Sequence, residues 1–191
     1  MNHNSYAEPT PLGVRGPRLA TLCFAALVAL LSVAPARAHD PSECWTEVIF
    51  HADKVEVLVT MAQVATLRLI DPAKKIPVLS AENFAEHRPR LLQEGATLFA
   101  LTSLKTRLKQ RSVVVELTEE NDVSFKIEFP RPPPGLLVIE AEFIRKLGSA
   151  FGGLIDARDT EGHQLGWDQI TSESPTLVVM LPPPGADPKK K

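Results

Sequence analysis

Apolar and polar residues alternate with a period of two over much of this chain. In KVEVLVTM (residues 54–61), Val55, Val57, Val59 and Met61 fall on one face, while Lys54, Glu56 and Thr60 fall on the other. That spacing predicts a strand with one buried side and one wet side. DVSFKIEF (122–129) repeats it with Val123, Phe125, Ile127 and Phe129 inward, and LLVIEAEF (136–143) with Leu137, Ile139, Ala141 and Phe143 inward. SVVVELT (112–118) and TLVVML (176–181) are valine-rich runs bounded by turn residues or proline, and they read as strands too. HADK (51–54), EEND (119–122) and RDTEG (158–162) are short polar turns, and PRPPPG (130–135), poor in ladder donors, predicts a loop. Short antiparallel strands, each with one apolar face, bury those faces by stacking as two sheets. The predicted fold is mainly β, an antiparallel, Ig-like β-sandwich.

One segment departs from this period. SAENFAEHRPRLLQEGATLFAL, from Ser80, carries helical spacing through Phe84, His87, Leu91 and Leu92, with Ser80 as the N-cap and Glu82 in the first turn. A short helical insert near residues 80–96 follows, which Pro89 is expected to end or kink. The closing LPPPGADPKKK has nothing to bury, so residues 182–191 read as a Pro/Lys-rich disordered tail.

Ahead of the sandwich, Arg15 and Arg18 precede an uncharged run over residues 19–34, and the small residues Ala36 and Ala38 follow it. Basic, apolar and small-residue regions in that order predict a signal peptide over residues 1–38, cut before His39. A membrane anchor is the competing reading, but the run is shorter than the roughly 20 residues a helix needs to span a bilayer, and Pro35 follows at once. The expectation is a bacterial periplasmic or secreted domain over residues 39–181, with no stable membrane insertion after cleavage.

Charge and cysteine content narrow the classes further. The whole chain has 21 basic and 23 acidic residues, and losing Arg15, Arg18, Arg37 and Glu8 with the leader brings the remainder near −4. That balance gives no footprint for nucleic acid. Cys23 would leave with the leader, so Cys44 has no intramolecular partner and reads as a buried thiol.

Chemistry-bearing patterns are sparse. The sequence has no G-x-S-x-G, no H-E-x-x-H and no glycine-rich phosphate loop, which predicts a non-catalytic protein without a resident cofactor. One metal hypothesis stands out. A free amino-terminal histidine at His39 binds copper or nickel through its amine and ring, if a second group closes the site. His163 and Asp159, in RDTEGH, are the candidate partners, with His51 and His87 as further imidazoles. The plain alternative is that His39 merely follows a cleavage site and the other rings are solvated or partly buried. For protein partners, Leu58 and Val138 interrupt otherwise polar outward faces and offer a patch for face packing, as an edge strand does for strand addition.

The order of several short motifs is informative. AHDPS after the leader, a strand pair, an LxxxD step into LSAENFAEHRPRL, then NDVSFKIEFPRPP and a final DxxGxxL hairpin resemble one known pattern. They are similar to the amino-terminal extracytoplasmic domain of bacterial HupE/UreJ-type membrane proteins, here without the transmembrane helices of the larger members. The resemblance implies an accessory role in nickel-, hydrogenase- or urease-linked membrane systems, with a membrane or periplasmic protein as partner. Relatives often carry an EF-hand-like acidic loop before the helix. Here Asp71 takes its first position and Glu82 its twelfth, but Ala73, Lys75 and Ile76 stand where ligands and the turn glycine belong, so calcium binding is not expected.

Overall fold

Val55, Val57, Val59 and Met61 are all fully buried, as their alternation predicts. The computed structural model describes residues 42–183, which lie within one unit, His39–Lys191. Ten strands are described: β1 (Glu43–Phe50), β2 (Lys54–Met61), β3 (Phe99–Ser103), β4 (Thr106–Arg107), β5 (Ser112–Leu117), β6 (Val123–Pro130), β7 (Gly135–Ala141), β8 (Gly152–Asp159), β9 (Gln164–Thr171) and β10 (Thr176–Leu181). They form a six-stranded sheet in the order β5-β6-β2-β1-β8-β9 and a four-stranded sheet in the order β10-β7-β3-β4.

Local turns make the hairpins. HADK closes β1 onto β2 through a bond from the His51 N–H to the Lys54 carbonyl (2.9 Å), and Thr118 N–H to the Asp122 carbonyl (2.8 Å) closes β5 onto β6. Pairing is antiparallel except at one seam, where β1 and β8 run parallel from Glu43 opposite Gly152 to Phe50 opposite Asp159. At this seam Gly153 is required by space: a Cβ there would lie 2.4 Å from the Cys44 carbonyl oxygen.

The inner faces of both sheets share one core. Val48, Phe125 and Ile155 of the larger sheet belong to the same buried cluster as Leu101, Ile139 and Leu177 of the smaller. The strands β9 and β10 approach closely at Gly166, where a Cβ would meet Val179 Cγ1 at 2.9 Å. The mainly β sandwich with a short helical insert is therefore the observed architecture, and the parallel seam is its departure from a purely antiparallel pattern.

Three helices are described: α1 (Gln63–Ile70), α2 (Phe84–Gly95) and α3 (Glu142–Leu147). The insert begins later than expected. Ser80 is not the N-cap; Asn83 is, and the Asn83 side-chain oxygen accepts the Ser80 N–H at 2.8 Å in the turn before the helix. Pro89 does not end α2, which runs on to Gly95. Pro89 is exposed, so its ring meets solvent and the cost falls on the Ala85 carbonyl, which loses an N–H donor. Phe143 is buried as predicted, but on α3 rather than at the end of a strand. Its neighbours Ile144 and Leu147 are buried with it, a helical set that the preceding alternation conceals. No helix among the described residues is long and apolar enough to cross a membrane.

Candidate partner-binding face

The predicted site residues fall into three groups. His39, Ala36 and Ala38 lie outside the described residues. Asp159 and His163 are brought together: His163 Nδ1 is 2.9 Å from Asp159 Oδ2, while the backbone N–H groups of Glu161 and His163 both donate to Asp159 Oδ1 at 2.9 Å. Partial desolvation pushes this carboxyl up, but the bonds from His163 and Glu161 outweigh it and hold Asp159 below its usual value. The pair closes the β8–β9 turn, and Glu161 adds a second carboxylate 3.6 Å from His163 Nδ1. Among the described residues no group of three His, Cys, Asp or Glu side chains is placed to hold a metal ion.

Asp71 and Glu82 have separate structural duties. Asp71 is buried and accepts the Ile76 N–H at Oδ2, and its carbonyl accepts the Lys74 N–H at 2.9 Å. Glu82 is exposed, and the Ser80 hydroxyl together with its own backbone N–H holds it below the usual carboxylate range. His51 lies 4.0 Å from Glu56 through Nε2, and its carbonyl accepts a bond from Arg131. His87 is half-buried on α2. Cys44 is buried, and desolvation pushes its thiol up to about 12, which leaves it protonated and unreactive at neutral pH.

A different set of residues forms the most distinctive surface. Because Cys44, Thr46, Val48 and Phe50 of β1 point inward, Trp45 points out, and it is 49% exposed. On β9 the bulge between Ala157 and Arg158 sets Trp167 opposite Asp156, an outward position, and Trp167 is 59% exposed. These are the chain's two tryptophans, and the parallel seam puts them on the same face. Leu154 of β8 stands directly opposite Trp45 and diagonal to Trp167. Trp45, Leu154 and Trp167 thus make an oblique apolar stripe over three strands, with the rings two strand spacings apart, roughly 10 Å across the sheet. Leu58 of β2, opposite Glu47, extends it.

Charged residues flank the stripe and are matched with one another. Arg158 bonds Asp156 at 2.6 Å and Glu47 at 3.1 Å, and Gln164 donates to Asp156 at 3.0 Å. Further along, Lys126 pairs with Glu56 at 2.9 Å, and Lys54 pairs with both Glu56 and Glu128. Burial pushes Glu56 up, but Lys126 and Lys54 together hold it below its usual value; Lys54 does the same for Glu128. The result is an apolar stripe set in an internally neutralised frame. Pairing within the frame leaves the apolar stripe as the distinctive feature of this face, and apolar and aromatic residues with depleted free charge mark the core of protein interfaces.

The smaller sheet has an outward apolar block of its own. Leu136 opposes Met180 and Val138 opposes Val178, and Met180 is 65% exposed. Val138 is thus in an exposed apolar patch, as its interruption of a polar face suggested. The tryptophan pair was not legible in advance. Each sits singly in its own strand, and only the long-range β1–β8 seam unites them. Comparison with known proteins assigns no family, since no family model matches the chain and no curated protein matches it.

Proposed function

We propose that the chain is a non-catalytic accessory domain that binds another protein through the tryptophan-bearing outer face of its six-stranded sheet. The observation that carries this reading is the stripe of Trp45, Leu154 and Trp167, with two half-exposed indoles on one face of the sheet. Tryptophan, tyrosine and arginine are the residues enriched among those that carry binding energy at the desolvated centre of an interface. Arg158 flanks the stripe. Glu56, Glu128 and Asp159, whose pKa values are displaced, are held in ion pairs or turn closure, an arrangement that suits a binding surface better than acid–base chemistry.

The partner is a membrane or periplasmic protein of the nickel- or hydrogenase-associated kind. Support comes from the resemblance of its motif order to HupE/UreJ-type extracytoplasmic domains and from the leader-like segment before His39, which favours an exported location. The test is capture from detergent-solubilised bacterial membranes with the wild type and a Trp45→Ala/Trp167→Ala variant. The reading expects a membrane protein retained by the wild type and lost, by about tenfold or more, from the variant. An identical captured set from both proteins, with the variant folded by circular dichroism, would overturn it.

A further inference from the structure

Away from the tryptophan face, α1, α3 and the loop over residues 71–79 enclose an open groove of about 870 Å³. That volume lies within the range of roughly 300–1,000 Å³ common to small-molecule pockets. Its floor is apolar, formed by Val64, Leu67, Ile76 and Phe151, and Val64 is half-exposed to it. Arg68, Lys74 and Lys146 also line it.

The walls are set without a ligand. The Gln63 side chain clamps Leu79 from both sides, donating to its carbonyl at 2.6 Å and accepting its N–H at 3.2 Å. Asp71 fixes the other end of the loop through the Ile76 and Lys74 N–H groups. Lys74 is held in the left-handed region, with φ of 56°, a conformation that a β-carbon disfavours and that the bond to Asp71 maintains. The loop is therefore pre-organised.

The charges around the groove are unevenly matched. Lys146 is engaged by Glu94 at 3.1 Å and by the Thr97 hydroxyl at 2.7 Å. Neither Arg68 nor Lys74 has a carboxylate within 4.0 Å among the described residues, and the Arg68 guanidinium lies over the Phe151 ring at 5.4 Å. The one acid in the lining, Asp71, is buried and committed to the loop backbone. Two unpaired cations above an apolar floor complement a ligand with an apolar body and an anionic head. An acyl chain has no main-chain amides to satisfy, so it can lie on the apolar floor of Val64, Leu67 and Phe151 without desolvating a polar group of its own.

We infer that this groove is a binding site for a fatty-acyl carboxylate, with the chain along Val64, Leu67 and Phe151 and the carboxylate at Arg68 and Lys74. The site is independent of the protein-binding face. It is tested by calorimetric titration of decanoate, below its micellar concentration, into protein produced from the full chain. Saturable one-to-one binding is expected, weakened about tenfold or more in Arg68→Ala/Lys74→Ala and for decanol in place of decanoate. Both substituted positions are exposed, so the variant keeps its fold; Val64→Asp, also exposed, is expected to abolish decanoate binding through the floor. Absence of decanoate binding, equal affinity for decanol, or binding indifferent to all three substitutions would overturn the proposal. So would an acidic apolar peptide that binds the groove where decanoate does not.

Discussion

Thr46 is fully buried on β1, between Cys44 and Val48 on the inward side, and its hydroxyl has no hydrogen-bond partner among the described residues. An unpaired buried hydroxyl carries its desolvation cost with nothing to offset it. Thr46→Val keeps the shape and removes the polar atom, so it is expected to stabilise the domain by about 1 kcal/mol, read as a higher urea midpoint at unchanged slope. A lower midpoint would mean that the hydroxyl is satisfied in solution. Residues of this kind were partly legible. The burial of Cys44 follows from its place in an apolar strand, and the inward set of β2 and β6 follows from strict alternation. The pairing of Asp159 with His163 follows from four-residue spacing across a tight turn. The exposure of Trp45 was not, because a tryptophan in a β-rich segment is as readily assigned to the core.

At the scale of elements, most strands and the helix α2 declared themselves, whereas α1 and α3 did not. Period-two alternation is written locally, so β2, β6 and β7 were visible with their inward faces, while β5 and β10 were visible as valine-rich runs. The helix α1 was hidden because its buried residues include Ala65 and Thr66 while Val64 is exposed, which erases the apolar stripe. Pro89 misled for a physical reason: it lies on the exposed side of α2, where Ala85, whose carbonyl loses its N–H donor, is also exposed and meets water. Sheet electrostatics also belong to this scale. Glu56 of β2 holds its carboxylate between Lys54 and Lys126, the latter from the neighbouring β6. Its folded pKa lies below the ordinary 4.5, so its contribution is present above that value and is lost as pH falls through the lower folded one. Glu56→Gln is therefore expected to be less stable than the wild type at pH 7 and to approach it as the pH falls from 4.5 through the lower folded pKa, measured by chemical denaturation from neutral into acid pH. A gap that stays constant with pH would show that the pairing contributes nothing.

For the whole molecule, the decisive feature is the parallel seam between β1 and β8. It joins the first described strand to a strand more than a hundred positions later and so ties the β8–β9 hairpin to the four strands β5-β6-β2-β1 in one six-stranded sheet. No local pattern encodes that pairing, which is why the fold class was readable and the tryptophan face was not. The two surfaces it leaves, an indole stripe on one sheet and an aliphatic block of Leu136, Val138, Val178 and Met180 on the other, make different predictions about where a partner sits. The most direct test is site-specific photo-crosslinking in living cells, with the photoreactive residue placed at position 167 in one protein and at position 178 in another. Binding through the tryptophan face predicts a discrete adduct to a membrane protein from position 167 and none from position 178. An adduct from position 178 alone, or from neither position, would contradict it.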